Sequence, residues 1–261
     1  MLTRIISGAV MIVIVAAVLL INSFCPAVTI GFLAVLSAIA VYEGLHNTGI
    51  IKNKAVLTGA VVFAAGTLVL YHYLPDMVTA ATVLYILFVV GGALGLHRTL
   101  SYERITAAIA MPIILCYAFS CIYTVFNTYG LAFLLLVLNF SSVCDCGAYF
   151  AGVTLGKHKL CPTISPKKTV EGAVGGIVLS LIATVIIALC FNLKAHLTVL
   201  LIFTPVLCVV GMAGDLFASV IKRNVGIKDY GNLIPGHGGI LDRFDSILLI
   251  APTFVGLLEI F

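Results

Sequence analysis

The sequence predicts an all-α, polytopic transmembrane helix bundle with about nine spans and a cytoplasmic N-terminus. Three observations carry that reading. Hydrophobic residues make up 62% and charged residues only 9% of 261 positions, and the mean hydropathy of +1.23 lies far outside the range of soluble domains. The apolar residues run continuously for about 20 positions at a time, the length of a spanning helix, rather than alternating as in an outer-membrane barrel. The basic residues gather at one end of these runs, as the positive-inside rule requires.

The runs fall at roughly 4–21, 26–45, 55–74, 77–96, 105–126, 130–149, 170–191, 197–218 and 245–260. The first has Arg4 as its only basic residue, and Asn22-Ser23-Phe24-Cys25-Pro26 offers no small-x-small cleavage site, so it is expected to remain as a helix. Residues 1–126 have short loops and few polar residues in the spans, and read as scaffold. Residues 127–261 read as a catalytic region, interrupted by polar loops at 150–169 and 219–244 that hold eight of the fourteen basic residues. Loops of this kind normally carry function. No internal repeat supports an inverted-repeat transporter.

Threading the runs from a cytoplasmic N-terminus puts Arg4, Lys52, Lys54, Arg98, Arg104 and the basic residues of both polar loops inside, and only Lys194 outside. The same threading sets Asp145 and Asp215 about 20 to 27 Å along their helices from the outer side. Glu43 and Glu171 fall at cytoplasmic helix ends. Acids that are costly near lipid thus share one depth with the cations, which predicts a polar site open to the cytoplasm.

Asp215, Ser219 and Lys222 follow i, i+4, i+7 spacing and share a helix face. A carboxylate beside a hydroxyl suits Mg²⁺, which prefers oxygen ligands and shares them with substrate phosphates; an acid satisfied by neighbouring side chains is the structural alternative. In the segment Lys228 to Gly239, Gly236, Gly238 and Gly239 allow close backbone approach and positive φ around His237, and successive N–H groups can cradle phosphate. Asp242-Arg243-Phe244-Asp245 opens the last helix, with Asp242 read as a ligand and Asp245 as ligand or cap. Ser165-Pro166-Lys167-Lys168-Thr169 precedes a helix N-terminus, a natural anion site, or serves as an inside anchor. Gly152-x-x-x-Gly156-Lys157 is one residue short of a P-loop, and His158 stands where Ser or Thr should be. Gly172-x-x-x-Gly176 fits helix packing. The eight cysteines show no metal-ligand spacing, and Cys144-x-Cys146 reads as small helix residues. No Ser-His-Asp or Cys-His pairing stands out.

From Ser219 to Asp245, the order S-x-apolar-K-R, then K-D-x-small, then H-G-G, then D-R-apolar-D resembles the phosphatidate cytidylyltransferases, also called CDP-diacylglycerol synthases. Asp145-x-Gly147-Ala148-Tyr149 and Ser165 to Thr169 also look like this family's segments. The resemblance implies transfer of a cytidylyl group from CTP to phosphatidate by a Mg²⁺-dependent enzyme of the bacterial cytoplasmic membrane. It further implies a second cation, a homodimer, a lipid bilayer as partner and no nucleic acid. Metal binding maps onto Asp215 and Asp242. Lys222, Arg223, Lys228 and Arg243 are then expected to neutralise phosphate charge, with Ser219 and Asp145 beside the substrate and Lys167 and Lys168 as a clamp. His237 is expected to donate a hydrogen bond or proton, or to stabilise its turn. A CTP-dependent lipid kinase of the polyprenol type is the alternative enzyme, and a secondary transporter the alternative class.

Overall fold

The computed structural model describes residues 2–22, 24–25, 27–95 and 101–260, with side chains described from residue 6 onward. Arg98 and the side chain of Arg4, both assigned to the inside by charge, lie outside that description. Each predicted run forms a helix. These are α1 (Leu2–Asn22), α2 (Ala27–Tyr42), α3 (Lys54–Tyr73), α4 (Met77–Gly95), α5 (Tyr102–Thr124), α6 (Leu131–Leu138) with α7 (Cys144–Leu155), α8 (Val170–Cys190), α9 (Leu197–Asn224), the short α10 (Leu241–Phe244) and α11 (Ile247–Ile260).

Seven described helical stretches are long and apolar enough to cross a membrane, and the apolar stretches Ile6–Asn22 and Ile247–Ile260 are shorter. The chain is therefore an integral membrane protein with a polytopic helical architecture. Two features differ from the expected all-helical plan. The loop expected at 150–169 is partly helix, because α7 continues to Leu155, and partly an antiparallel hairpin of β1 (Lys159–Cys161) and β2 (Ser165–Thr169). The loop expected from 219 begins as helix, because α9 continues to Asn224. Charged residues at a membrane interface do not end a helix, since their heads reach water while their stems stay apolar.

The chain forms two compact units. One comprises Met1–Tyr123 with Val225–Arg243, and the other Thr124–Asn224 with Phe244–Phe261. In the first, Asn53 caps α3 by accepting from the Ala55 and Val56 amides at 3.0 and 3.1 Å, a preferred use of asparagine. Phe63 stacks on Tyr85 with ring centroids 4.2 Å apart, and the Tyr85 hydroxyl donates to Ala108 O at 2.5 Å. These contacts tie α3, α4 and α5 together. The last turn of α2 widens into a π-helical segment, Glu43–Asn47.

In the second unit α7 and α8 cross with backbones in close contact. A Cβ on Gly176 would lie 2.5 Å from Cys144 O, and one on Gly172 2.7 Å from Ala148 O. The expected packing role of Gly172-x-x-x-Gly176 is therefore observed, and small residues permit such approach without a hydrophobic drive in lipid. Above α7, a second π segment at Asn139–Val143 turns Asn139 into α8 and α9. Asn139 Nδ2 donates to Ser180 O and Thr184 Oγ1 at 3.1 and 3.0 Å, and Thr184 meets Thr204 at 2.9 Å. These side chains are fully buried. Such interhelical bonds contribute about 0.6 to 2 kcal/mol each in a bilayer.

Candidate functional site

Within the second unit a cavity of about 240 Å³ is lined by Asp145 from α7, Lys167, Lys168 and Thr169 from β2, and Asp215 from α9. Each arrives by a different local rule. Thr169 is extended, at φ −126° and ψ 155°, and its hydroxyl accepts the Gly172 amide, so it stops the hairpin and starts α8. Lys167 and Lys168 are thereby held at the α8 N-terminus, where helix dipole and lysine charge both favour an anion. Lys168 Nζ is shielded from solvent without an aligned hydrogen bond and forms an ion pair with Asp215 Oδ2. An ammonium has three donors, and here they face a cavity suited to anionic oxygen.

Asp215, Ser219 and Lys222 do lie along one continuous helix, α9, with Lys222 buried and Arg223 exposed. Close approach of α11 supports the first of them. A Cβ on Gly214 would stand 2.8 Å from Asp245 O. Asp245 Oδ1 accepts the amide of its neighbour Ser246 at 2.8 Å, just ahead of α11. On the hairpin side, Glu171 accepts the Lys157 and His158 amides at 3.1 and 3.2 Å and pairs with His158 Nδ1 at 2.6 Å. This clasp closes the segment that the sequence made resemble a P-loop.

The remaining candidates belong to the first unit. The loop reverses at Ile234 to Gly238, where the Ile234 and His237 amides donate to Gly238 O and Ile234 O, both at 2.9 Å. Gly236 and Gly238 take φ of 77° and 88°, the conformation that only glycine adopts freely. Asp242 is 5% exposed, and its Oδ2 accepts the Tyr230 and Gly239 amides at 2.7 and 3.0 Å. His237 Nδ1 stands 2.8 Å from Ser7 Oγ, while Ser7 donates to Pro235 O at 3.0 Å. The turn-stabilising reading of His237 thus has a physical basis. Lys228 and Arg243 are exposed.

The structure therefore gathers Asp145, Lys167, Lys168 and Asp215, and separately organises Asp242 and His237 in their loop. Sequence reasoning set Glu43 at the depth of the polar site without giving it a role; it is buried against that loop and accepts the Leu241 amide at 2.9 Å. Among the described residues no group of three or more His, Cys, Asp or Glu could hold a metal ion. Two carboxylates on one cavity nonetheless fit Mg²⁺, which binds through one or two carboxylates and fills its shell with water and substrate phosphate.

The family model described as Cytidylyltransferase family matches residues 2–261. The chain belongs to the cytidylyltransferase family. Similar cytidylyltransferases include the phosphatidate cytidylyltransferase of Bacillus subtilis (strain 168), 47% identical over 135 residues, or 52% of this chain and 50% of that protein. The phosphatidate cytidylyltransferase of Staphylococcus saprophyticus is 47% identical over 123 residues, 47% of each chain. That of Staphylococcus aureus (strain COL) is 44% identical over the same length. The chain spans about half the length of these curated relatives.

Proposed function

We propose that this cytidylyltransferase-family chain transfers the cytidylyl group of CTP to phosphatidate, giving CDP-diacylglycerol and pyrophosphate for phospholipid biosynthesis. The observation that carries the reading is the cavity where Asp145 and Asp215 meet Lys167 and Lys168. Family membership and the names of the relatives support it.

The chemistry asks little of a general base. A phosphate monoester has a second pKa near about 6 and is largely dianionic at neutral pH, so a phosphatidate oxygen attacks the α-phosphorus of CTP while the bond to the β-phosphate breaks. The obstacle is repulsion between anions. Lys168 exchanges its ion pair with Asp215 for phosphate oxygen, and Lys167 approaches from the same strand. Lys222, Arg223, Lys228 and Arg243 supply further positive charge, with arginine suited to bidentate contact. Ser219 orients a substrate oxygen, and His237 donates to one. Asp215 and Asp242 are the carboxylates that the resemblance assigns to Mg²⁺, and Asp145 joins Asp215 on the cavity wall. Mg²⁺, when bound, supplies positive charge to the triphosphate and the departing pyrophosphate.

The nine-span topology with a cytoplasmic N-terminus, a site facing the cytoplasm of a bacterial inner membrane, a second cation and a homodimer complete the proposal. The one-sided distribution of lysine and arginine supports the orientation, and the resemblance supports the rest. The test is product analysis with purified protein in lipid. Pyrophosphate and CDP-diacylglycerol are expected only when CTP, phosphatidate and Mg²⁺ are all present. Release of CDP with a phosphorylated lipid would replace this reading with the lipid kinase.

A further inference from the structure

Glu43 is a buried carboxylate that the phosphate chemistry does not use. It is 3% exposed and opens the π-helical segment at the end of α2. Its Oε2 accepts the Leu241 amide at 2.9 Å. Gly231 and Gly239 press against the same carboxylate: a Cβ on Gly231 would lie 2.4 Å from Oε1, and one on Gly239 2.4 Å from Oε2. From the same π segment, Asn47 Nδ2 donates to Tyr230 O at 2.7 Å. Tyr230 and Gly239 are the two residues whose amides donate to Asp242 Oδ2.

Two side chains of one widened helical turn therefore hold both residues that orient Asp242. The carboxylate fixes Gly239 by contact and Leu241 by hydrogen bond, and the amide fixes Tyr230. An ionisable residue in a spanning helix is costly and normally marks function, and π segments recur at functional sites. A Cβ at 231 or 239 would displace the carboxylate, so its present position depends on glycine at both.

We propose that Glu43 is a positioning residue for Asp242: it locks the Tyr230–Leu241 backbone so that the Asp242 carboxylate keeps a single orientation. This inference rests on reading Asp242 as a metal-directed carboxylate of cytidylyl transfer. Without the clamp, the Leu241 amide loses its acceptor, which is costly for a buried donor, and the loop samples other arrangements.

The test compares Glu43→Ala, Glu43→Asp and Glu43→Gln in the full chain in lipid, reading amide hydrogen exchange over 229–242, Mg²⁺ half-saturation and kcat. In Glu43→Ala, exchange over 229–242 is expected to accelerate about tenfold or more. Mg²⁺ half-saturation should rise about fivefold and kcat fall about tenfold. Gln, which keeps the length and an acceptor oxygen, should restore most of both, and the shorter Asp should not. Unchanged exchange in Glu43→Ala overturns the clamp. A loosened loop with wild-type Mg²⁺ dependence and kcat overturns the positioning role and leaves a structural one. Should Glu43→Ala not fold, Glu43→Asp is judged by the same criteria. Should the wild-type chain make no CDP-diacylglycerol, the proposed function fails by itself. Mg²⁺ affinity measured by calorimetry then replaces half-saturation, and equal affinity in wild type and variant overturns the positioning role.

Discussion

Asp215 and Lys168 satisfy each other's charge in the absence of any other partner. Their ion pair neutralises both in a half-buried setting, yet an ammonium has three donors and a carboxylate has oxygens to spare, and under the proposed function these face a phosphate and a cation. Replacing Asp215 with Asn is expected to lower turnover about a hundredfold or more, the scale at which a single charge-stabilising group acts in a desolvated site. Near-wild-type rates in folded Asp215→Asn protein would remove it from the mechanism. Lys168→Met keeps the stem but deletes the ammonium, and a rise in KM for CTP together with a fall in kcat is expected from steady-state kinetics. Gly239→Ala drives a methyl toward the Glu43 carboxylate, and a loss of about 1 to 3 kcal/mol is expected, as for other overpacked sites. A thermal midpoint equal to wild type would show that the loop gives way freely.

Most charged residues of the site were legible in the sequence because a carboxylate or lysine cluster is conspicuous in a lipid-compatible chain. Glu43 was legible as an acid at the depth of the polar site but its role was not, since it accepts a backbone amide nearly two hundred positions away, and amides leave no mark in composition. His237 stood out, but nothing in the sequence announced Ser7 as its neighbour.

At the level of elements, continuous apolar runs gave the helices, and the structure moves their ends by a few residues where charge was mistaken for a stop. Asn224 rather than Ala218 closes α9, which keeps Ser219 and Lys222 in register with Asp215. The β1–β2 hairpin was invisible because its residues, Lys159–Cys161 and Ser165–Thr169, carry neither an alternating pattern nor strong strand formers. Its position follows instead from the Thr169 cap and the Glu171 clasp. Thr169→Ala is expected to cost about 1 kcal/mol and to loosen the hairpin, visible as faster amide exchange at Gly172. Exchange identical to wild type would mean that the cap is dispensable. The π segments were likewise unreadable, since a single inserted residue leaves hydrophobic periodicity almost unchanged.

For the whole molecule, hydropathy identified a polytopic membrane protein, and among the described residues seven helical stretches are long and apolar enough to cross a membrane. Removal of divalent cations by chelation is expected to abolish turnover while far-UV circular dichroism stays unchanged, and Mg²⁺ readdition is expected to restore activity. Collapse of the helical signal on chelation would instead make the metal structural. The segment Val225–Arg243 groups with the early helices, so residues close in sequence to the α9 motif depend for their order on α1 and α2.

The glycine seam between α7 and α8 also has a mechanical meaning. Because Gly172 and Gly176 bring those two backbones into contact, Asp145 and the Lys167–Lys168 arm are mounted on one stiff block. The facing wall is built differently. Pro205 sits inside α9, ten positions before Asp215, and proline deletes an intrahelical bond and loosens the helix there. The cavity thus has one wall stiffened by backbone contact and one whose helix lacks a hydrogen bond at Pro205, so any adjustment of its width is expected on the side that carries Asp215.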